Sequence, residues 1–237
     1  MLTKNISVMI LAAGYGKRLM PITEKIPKPL LKIGGITLLQ NTLDHVLKLN
    51  CDKIIINTHY KHEMIYDFIK NNYSKESILI SYEKELLDTG GGVKKALPLF
   101  KNNKALILNS DIFWQKDNFQ DIKNLIINFR IEQKCKLLLV SEKRAHGIYN
   151  NKADFIINDG LIKRYKVSQN KYFYSGAQII FLDILKEYHQ KNFSFNIVWD
   201  NLINKKLIFG DVMKSDWYHV GNIKGLNEAK NLMTCIN

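Results

Sequence analysis

The chain has 237 residues, 46% of them hydrophobic, so it can bury one full core; its longest apolar stretches, such as Ile179 to Leu182, fall far short of the ~18 residues of a membrane span. Lys and Arg outnumber Asp and Glu by 35 to 22, a formal charge of +13. The surplus is spread in ones and twos, with no block of like charge and no aromatic-basic stretch, which argues against nucleic acid as a partner and leaves room for polyanionic small substrates.

The N-terminus carries Lys4 and an apolar run, but Val8 to Ala13 is shorter than a secretory core, so a cytoplasmic protein is expected. Ser7 to Leu11 reads as a buried strand, Leu38 to Leu47 as an amphipathic helix, and Lys53 to Asn57 as a second buried strand. Met64 to Ile69 marks another helix, Ile78 to Tyr82 a strand, and Val93 to Phe100 a helix opening just after three glycines. Ala105 to Leu108, Ile122 to Phe129 and Leu137 to Val140 continue as strand, helix and strand. Such a β-α-β-α series predicts an α/β fold in three layers, a mainly parallel sheet covered by helices on both faces, with ligands at the carboxyl ends of the strands. After about residue 145 the texture changes. Asp154 to Ile157, Leu161 to Tyr165, Tyr172 to Phe181 and Lys206 to Val212 read as strands that add antiparallel pairing at one side of the sheet. Helices are expected near Leu182 to His189 and Ile197 to Asn204, and from Asn222 onward. One domain over 1–237 is expected, in two halves, 1–145 and 146–237, the second ending in a packing helix. Cys51, Cys135 and Cys235 lack C-x-x-C spacing and read as incidental thiols, outside any zinc site or disulfide framework.

Leu11, Ala12, Ala13, Gly14, Gly16, Lys17 and Arg18 follow the first strand. No bulky Cβ blocks the backbone there, so several N–H groups can turn toward one anion, with two cations behind them. The third glycine of a dinucleotide fingerprint is missing, and Arg18 stands where a Walker A loop needs Ser or Thr. The glycines alone fit a bare strand-to-helix turn equally well. Lys28 lies between Pro27 and Pro29, which predicts an ammonium presented from a stiff extended segment.

The pattern L-A-A-G-x-G-x-R-[LM]-x-P-x-T, followed by P-K-P-L, resembles the N-terminal signature of the sugar-1-phosphate nucleotidylyltransferases, or NDP-sugar pyrophosphorylases. The likeness runs on through Asp88-Thr89-Gly90-Gly91-Gly92, Asn109-Ser110-Asp111 and Trp217 to Gly221, and is greatest to the branch that includes the N-acetylmuramate α-1-phosphate uridylyltransferases. It implies a nucleotide-diphospho-sugar transferase-like fold. The implied reaction is attack of a sugar-1-phosphate oxygen on the α-phosphorus of a nucleoside triphosphate, with pyrophosphate leaving. Catalysis of that kind is mostly charge neutralisation and in-line positioning, and needs no general base.

By the same resemblance Arg18 should reach the β- and γ-phosphates, Lys28 the α-phosphate, and Asp111 Mg²⁺; an aspartate after a strand is otherwise often only a turn or cap. Thr89, Gly90 and Gly91 should face the base, with Asn109 beside the nucleotide, and Tyr174, Ser175 and Gly176 should hold the sugar. Relatives commonly carry a second metal-binding aspartate in W-x-D-V-G-T. Here the segment is Trp217-Tyr218-His219-Val220-Gly221-Asn222, so an imidazole, a poor Mg²⁺ ligand, fills the carboxylate position. His219 reads as a phosphate contact, a ligand for a softer ion such as Mn²⁺, or a structural residue. His59 is a weak candidate at the second strand's end. The relatives' Glu-Lys-Pro element is absent, and Lys163 or Lys166 stands open as its substitute. Uridine and a muramic-type or other hexose-1-phosphate are the favoured substrates. Transfer to a choline or heptose phosphate, and a weakened nucleotide-binding regulatory domain, are the alternatives. The sequence does not fix the oligomeric state.

Overall fold

The structure, a computed structural model, describes residues 6–148, 153–166 and 170–236, with side chains as far as 233. Lys4 and the Cys235 side chain lie outside the described residues. Among the described residues the main sheet has nine strands: β1 (Ser7–Leu11), β2 (Lys53–Thr58), β3 (Ile78–Tyr82), β4 (Lys104–Asn109), β5 (Cys135–Ser141), β6 (Phe155–Asn158), β7 (Leu161–Arg164), β8 (Tyr172–Phe181) and β9 (Ile208–Val212). Their spatial order is β6-β7-β9-β5-β8-β4-β1-β2-β3, and β1 pairs parallel with both β2 and β4. The six longer helices are α1 (Leu38–Leu47), α2 (His62–Asn72), α3 (Asp88–Lys95), α4 (Asn118–Ile127), α5 (Phe195–Asn204) and α6 (Ile223–Ile236).

Side chains alternate across a strand, so β1 sends Val8 and Ile10 to one face and Met9 to the other. The first face packs with Leu39, Leu43 and Val46 of α1, Ile65 of α2 and Ile122 of α4. The second packs with Val93 of α3 and Val198 and Leu202 of α5. Helices therefore cover both faces, as the alternating series predicts. Thr37 caps α1 by accepting from the Gln40 amide at 3.0 Å, one half of a capping box.

The chain departs from expectation in three places. β8 does not join one side of the sheet; it is inserted between β4 and β5, antiparallel to both. Its burial over nearly the whole run suits a central strand. Secondly, α3 begins at Asp88 and contains Gly90, Gly91 and Gly92, ending at Lys95 before a short 3₁₀ turn. Glycine disfavours helix by ~1 kcal/mol per residue, but here tertiary packing overrides that propensity. The Gly90 and Gly91 amides donate to the Phe193 carbonyl at 2.9 and 3.0 Å, and side chains there would strike the Phe193 ring and the Lys191 carbonyl. Thirdly, Leu182–Glu187 is 3₁₀ rather than α-helical. Cys51 and Cys135 are free thiols, and burial pushes Cys51 up to about 11. No helix among the described residues is long and apolar enough to cross a membrane.

Candidate active site

Two adjoining cavities lie at the carboxyl ends of β1 and β4, and they meet at Asp111. The first, of about 430 Å³, is lined by Leu11, Ala12, Ala13, Gly14, Lys28, Asn57, Leu86, Asp88, Thr89, Asn109, Ser110, Asp111 and Asn192. The second, of about 290 Å³, shares Leu11, Thr89, Asn109 and Asp111 with it and adds Asp154, Tyr174, Gln178, Ser194, Phe195, Asn196, Trp199, Trp217 and His219.

The loop after β1 is pinned from several sides. The Ala12 amide donates to Asn57 Oδ1 at 2.8 Å, and the Tyr60 hydroxyl donates to the Thr23 carbonyl at 2.9 Å. Tyr15 and His59 meet at 3.0 Å, which gives His59 a place holding the loop rather than lining either cavity. Gly16 has φ +67°, and a Cβ there would stand 2.9 Å from Thr23 Cγ2 and 3.2 Å from Lys28 Cβ. Gly14 has nothing within 4 Å of a Cβ position, so its backbone faces open space. Lys17 and Arg18 occupy a 3₁₀ turn, both exposed, and line neither cavity. Lys28 opens a second 3₁₀ turn, Lys28–Leu30, instead of lying in an extended segment. Pro29, at that turn's second position, costs no hydrogen bond there because the first amides of a helical turn have no internal partner.

Lys28 Nζ donates to Asp111 Oδ2 at 2.7 Å, and both side chains are largely buried. His219 Nε2 lies 3.5 Å from the same oxygen. A small three-stranded sheet brings the histidine there: Trp217–His219 pairs with Ile112–Phe113 on one side and Ala145–His146 on the other, and the Val220 amide donates to the Asp111 carbonyl at 2.8 Å. The imidazole stacks on Trp217 with 5.5 Å between ring centroids, and Gly221 leaves the space that a side chain would take from it. Burial alone would raise the Asp111 carboxyl, but the Lys28 ammonium and His219 reverse this and hold it well below the usual carboxylate range. Asp111 Oδ1 is buried and has no hydrogen-bond partner.

That orphaned oxygen fits a cation. Among the described residues no group of three or more His, Cys, Asp or Glu side chains could enclose a metal. A Mg²⁺ ion here would have the Asp111 carboxylate from the protein and take its other ligands from phosphates and water, whereas the imidazole of His219 would suit only a softer ion.

The three residues expected to hold a sugar separate. Tyr174 lines the second cavity, whereas Ser175 is fully buried, its carbonyl accepting from Trp217 Nε1 at 2.8 Å. Gly176, at φ +85°, forms a bulge in β8, and what approaches it is Asn109 and Ile112, with 3.1 and 3.0 Å to a Cβ position. Gly90 and Gly91 likewise serve packing; Thr89 alone of that trio lines the cavities, and its hydroxyl accepts from the Phe195 amide at 2.9 Å. Lys163 and Lys166 are exposed and line neither cavity. Arg164 between them covers the Trp199 ring at 5.9 Å and donates to Asp200 Oδ1 at 2.6 Å, stiffening the start of α5.

Sequence reasoning missed Asp154, Asn196 and Trp199. Asp154 Oδ2 accepts from the Tyr174 amide at 2.9 Å, while burial raises its carboxyl. No local pattern marks these residues; they meet only because β8 carries Tyr174 past the start of α5.

A mixed sheet whose parallel part carries a glycine loop after its first strand, with a largely buried Asp-Lys-His cluster between two cavities, defines an α/β architecture with an anion-accepting cleft at the strands' carboxyl ends. The chain belongs to the nucleotidyl transferase family, whose model matches residues 7–235. It is 28% identical over 222 residues to N-acetylmuramate α-1-phosphate uridylyltransferase of Caulobacter vibrioides, covering 90% of this chain and 91% of that one. To D-glycero-α-D-manno-heptose 1-phosphate guanylyltransferase of Aneurinibacillus thermoaerophilus it is 36% identical over 139 residues, 59% of this chain and 60% of the other. The crystal structure of HddC from Yersinia pseudotuberculosis complexed with GMP-PN superposes with a TM-score of 0.76 at 23% identity, covering 96% of this chain and 99% of that one, which shows the same fold.

Proposed function

We propose that this enzyme joins a nucleoside triphosphate to a sugar-1-phosphate, forming an NDP-sugar and releasing pyrophosphate. The observation that carries the reading is the meeting of two cavities at Asp111, one beside the glycine loop and Lys28, the other walled by Tyr174, Asp154, Asn196 and Trp199. The nucleotide occupies the first cavity and the sugar the second. An oxygen of the sugar-1-phosphate bonds to the α-phosphorus as the α–β bridging bond breaks, and pyrophosphate carries away that bond's electron pair.

Lys28 exchanges Asp111 for the α-phosphate when nucleotide enters, because the triphosphate as a whole carries more negative charge than one carboxylate. Arg18, exposed at the end of the loop, folds over the β- and γ-phosphates and forks onto two oxygens. Asp111, with His219 beside it, would hold Mg²⁺ or Mn²⁺, which would supply charge neutralisation for the phosphates. Asp154 and Asn196 hydrogen-bond the sugar hydroxyls, and the Tyr174 and Trp199 rings supply apolar contact.

Uridine is the proposed base and a muramic-type hexose-1-phosphate the proposed acceptor, since the uridylyltransferase relative matches along nine-tenths of the chain. Such an acceptor places the enzyme in cytoplasmic synthesis of cell-wall sugars. Guanosine with a heptose-1-phosphate is the second reading, favoured by the higher identity of the shorter match. A matrix of nucleoside triphosphates against sugar-1-phosphates, scored by pyrophosphate release, separates them. Silence across every pair would move the chain to a nucleotide-binding regulatory role, for which His219 in an aspartate position is the one motivation.

A further inference from the structure

At the back wall of the first cavity Asn57, which lines it, pairs with Glu83, which does not, and neither takes part in the chemistry of the proposed reaction. Asn57 at the end of β2 is 3% exposed and Glu83, just past β3, is fully buried. Asn57 Oδ1 accepts from the Ala12 amide at 2.8 Å, and its Nδ2 donates to Glu83 Oε1 at 2.7 Å. The other carboxylate oxygen of Glu83 accepts from the Leu87 amide at 3.0 Å. Ala12 begins the glycine loop, and Leu87 immediately precedes Asp88, the first residue of α3, with Thr89 next. The relay therefore ties together two segments that line one cavity through three consecutive hydrogen bonds.

Its surroundings are shaped for it. A Cβ on Gly92 would stand 2.6 Å from Glu83 Oε1 and 2.9 Å from Asn57 Nδ2, so the third glycine of the run makes room for the pair. The Glu83 main chain is fixed as well: its amide donates to the Thr58 carbonyl at 2.7 Å, and its carbonyl meets His59 Nδ1 at 2.9 Å. A buried carboxylate costs several kcal/mol in desolvation unless its oxygens are satisfied, and an apolar pair could fill the same space without that cost. What an apolar pair could not do is fix the direction and length of a link to the Ala12 amide.

We propose that Glu83 is a positioning residue for nucleotide binding, acting through Asn57 to set the spacing between the glycine loop and the Leu86–Thr89 wall. The inference rests on the reading of the first cavity as the nucleotide site. Glu83 touches no substrate; it holds Asn57 with its oxygen toward Ala12, and so holds the loop that faces the phosphates.

The pair permits a swap of polarity. Glu83→Gln puts an amide NH₂ where either Asn57 or Leu87 already offers a donor. Asn57→Asp sets two carboxylates against each other. Together the two changes restore every bond: the new amide donates to the new carboxylate and accepts from Leu87, and the new carboxylate still accepts from Ala12, with net charge unchanged. Titration calorimetry with UTP and with GTP on wild type, both single variants and the double variant, alongside thermal melting, reads the result. Each single change should weaken binding of the accepted nucleotide about tenfold or more, the cost of one unsatisfied buried polar group, and the double variant should return to within about threefold of wild type. Single variants that bind as tightly as wild type, even with a lowered melting temperature, would assign the pair to stability alone and overturn the proposal. So would a double variant that melts like wild type yet stays weak. A wild type that binds neither nucleotide would instead overturn the nucleotide-site reading beneath it.

Discussion

Lys28 and Asp111, 83 positions apart, meet at 2.7 Å between Nζ and Oδ2 in a largely buried ion pair. The 3₁₀ turn after Pro27 brings in the one and the carboxyl end of β4 the other. Each is the other's partner in this structure, and on the proposed reaction the pair keeps satisfied two charges that the chemistry would later need separately. Breaking it from one side should be expensive, because the survivor is left buried and unpaired.

Lys28→Met should therefore lower stability at neutral pH by roughly 3 kcal/mol. Asp111 has a folded pKa held below its unfolded value, so its contribution is present in full above about pH 4, the ordinary carboxylate value, and is lost as pH falls toward the folded value. In the variant the unpaired carboxylate is relieved by protonation. Thermal melts from pH 7 to pH 3 should show the gap between wild type and variant narrowing on the acid side. A gap that stays constant would mean the ion pair does not set the Asp111 pKa.

Asp111→Asn should leave a folded protein whose pyrophosphate release falls by about 10²–10³-fold, the scale of removing a preorganised electrostatic group. Unchanged turnover would remove Asp111 from the chemistry. His219→Asp tests the other side of the same carboxylate: a large gain in turnover would show that the wild-type imidazole limits the enzyme.

Gly16 and Gly14 make opposite predictions although two residues apart. Gly16→Ala combines φ +67° with a Cβ 2.9 Å from Thr23 Cγ2, and should cost about 1–2 kcal/mol in a denaturant titration. Gly14→Ala meets no atom within 4 Å, so stability should hold while nucleotide KM rises. Equal destabilisation by both would contradict the loop geometry.

Arg18→Ala should spare the melting temperature, since an exposed side chain outside any ion pair among the described residues contributes within about 0.5 kcal/mol. In the reverse reaction it should raise the KM for pyrophosphate about tenfold and leave the NDP-sugar KM near wild type. An equal rise in both would place Arg18 elsewhere.

Part of this site was legible in the residues themselves. Val8 to Leu11 announces a buried strand and Ala12 to Gly16 a loop without bulk, because both depend on neighbours in sequence. Lys28 was legible as a fixed cation through its flanking prolines, although its turn is 3₁₀. Asp111 could be placed at a strand end, but its reading as a metal ligand came only through the family pattern. Gly90 and Gly91 misled, since what they pack against is Lys191 and Phe193, about a hundred positions later. The insertion of β8 between β4 and β5 was not legible either, because strand order is set by crossover paths rather than by the alternation within a strand. Asp154 and Asn196 depend on that insertion and so left no signal of their own.

The most direct measurement is a crystal structure of the protein grown with the NDP-sugar it makes. The diphosphate should lie between Lys28 and Asp111, the base in the cavity bounded by Asn57 and Thr89, and the sugar against Tyr174 and Trp199. A ligand bound elsewhere, or a diphosphate lying away from Asp111 with Lys28 still paired to it, would overturn the proposed function.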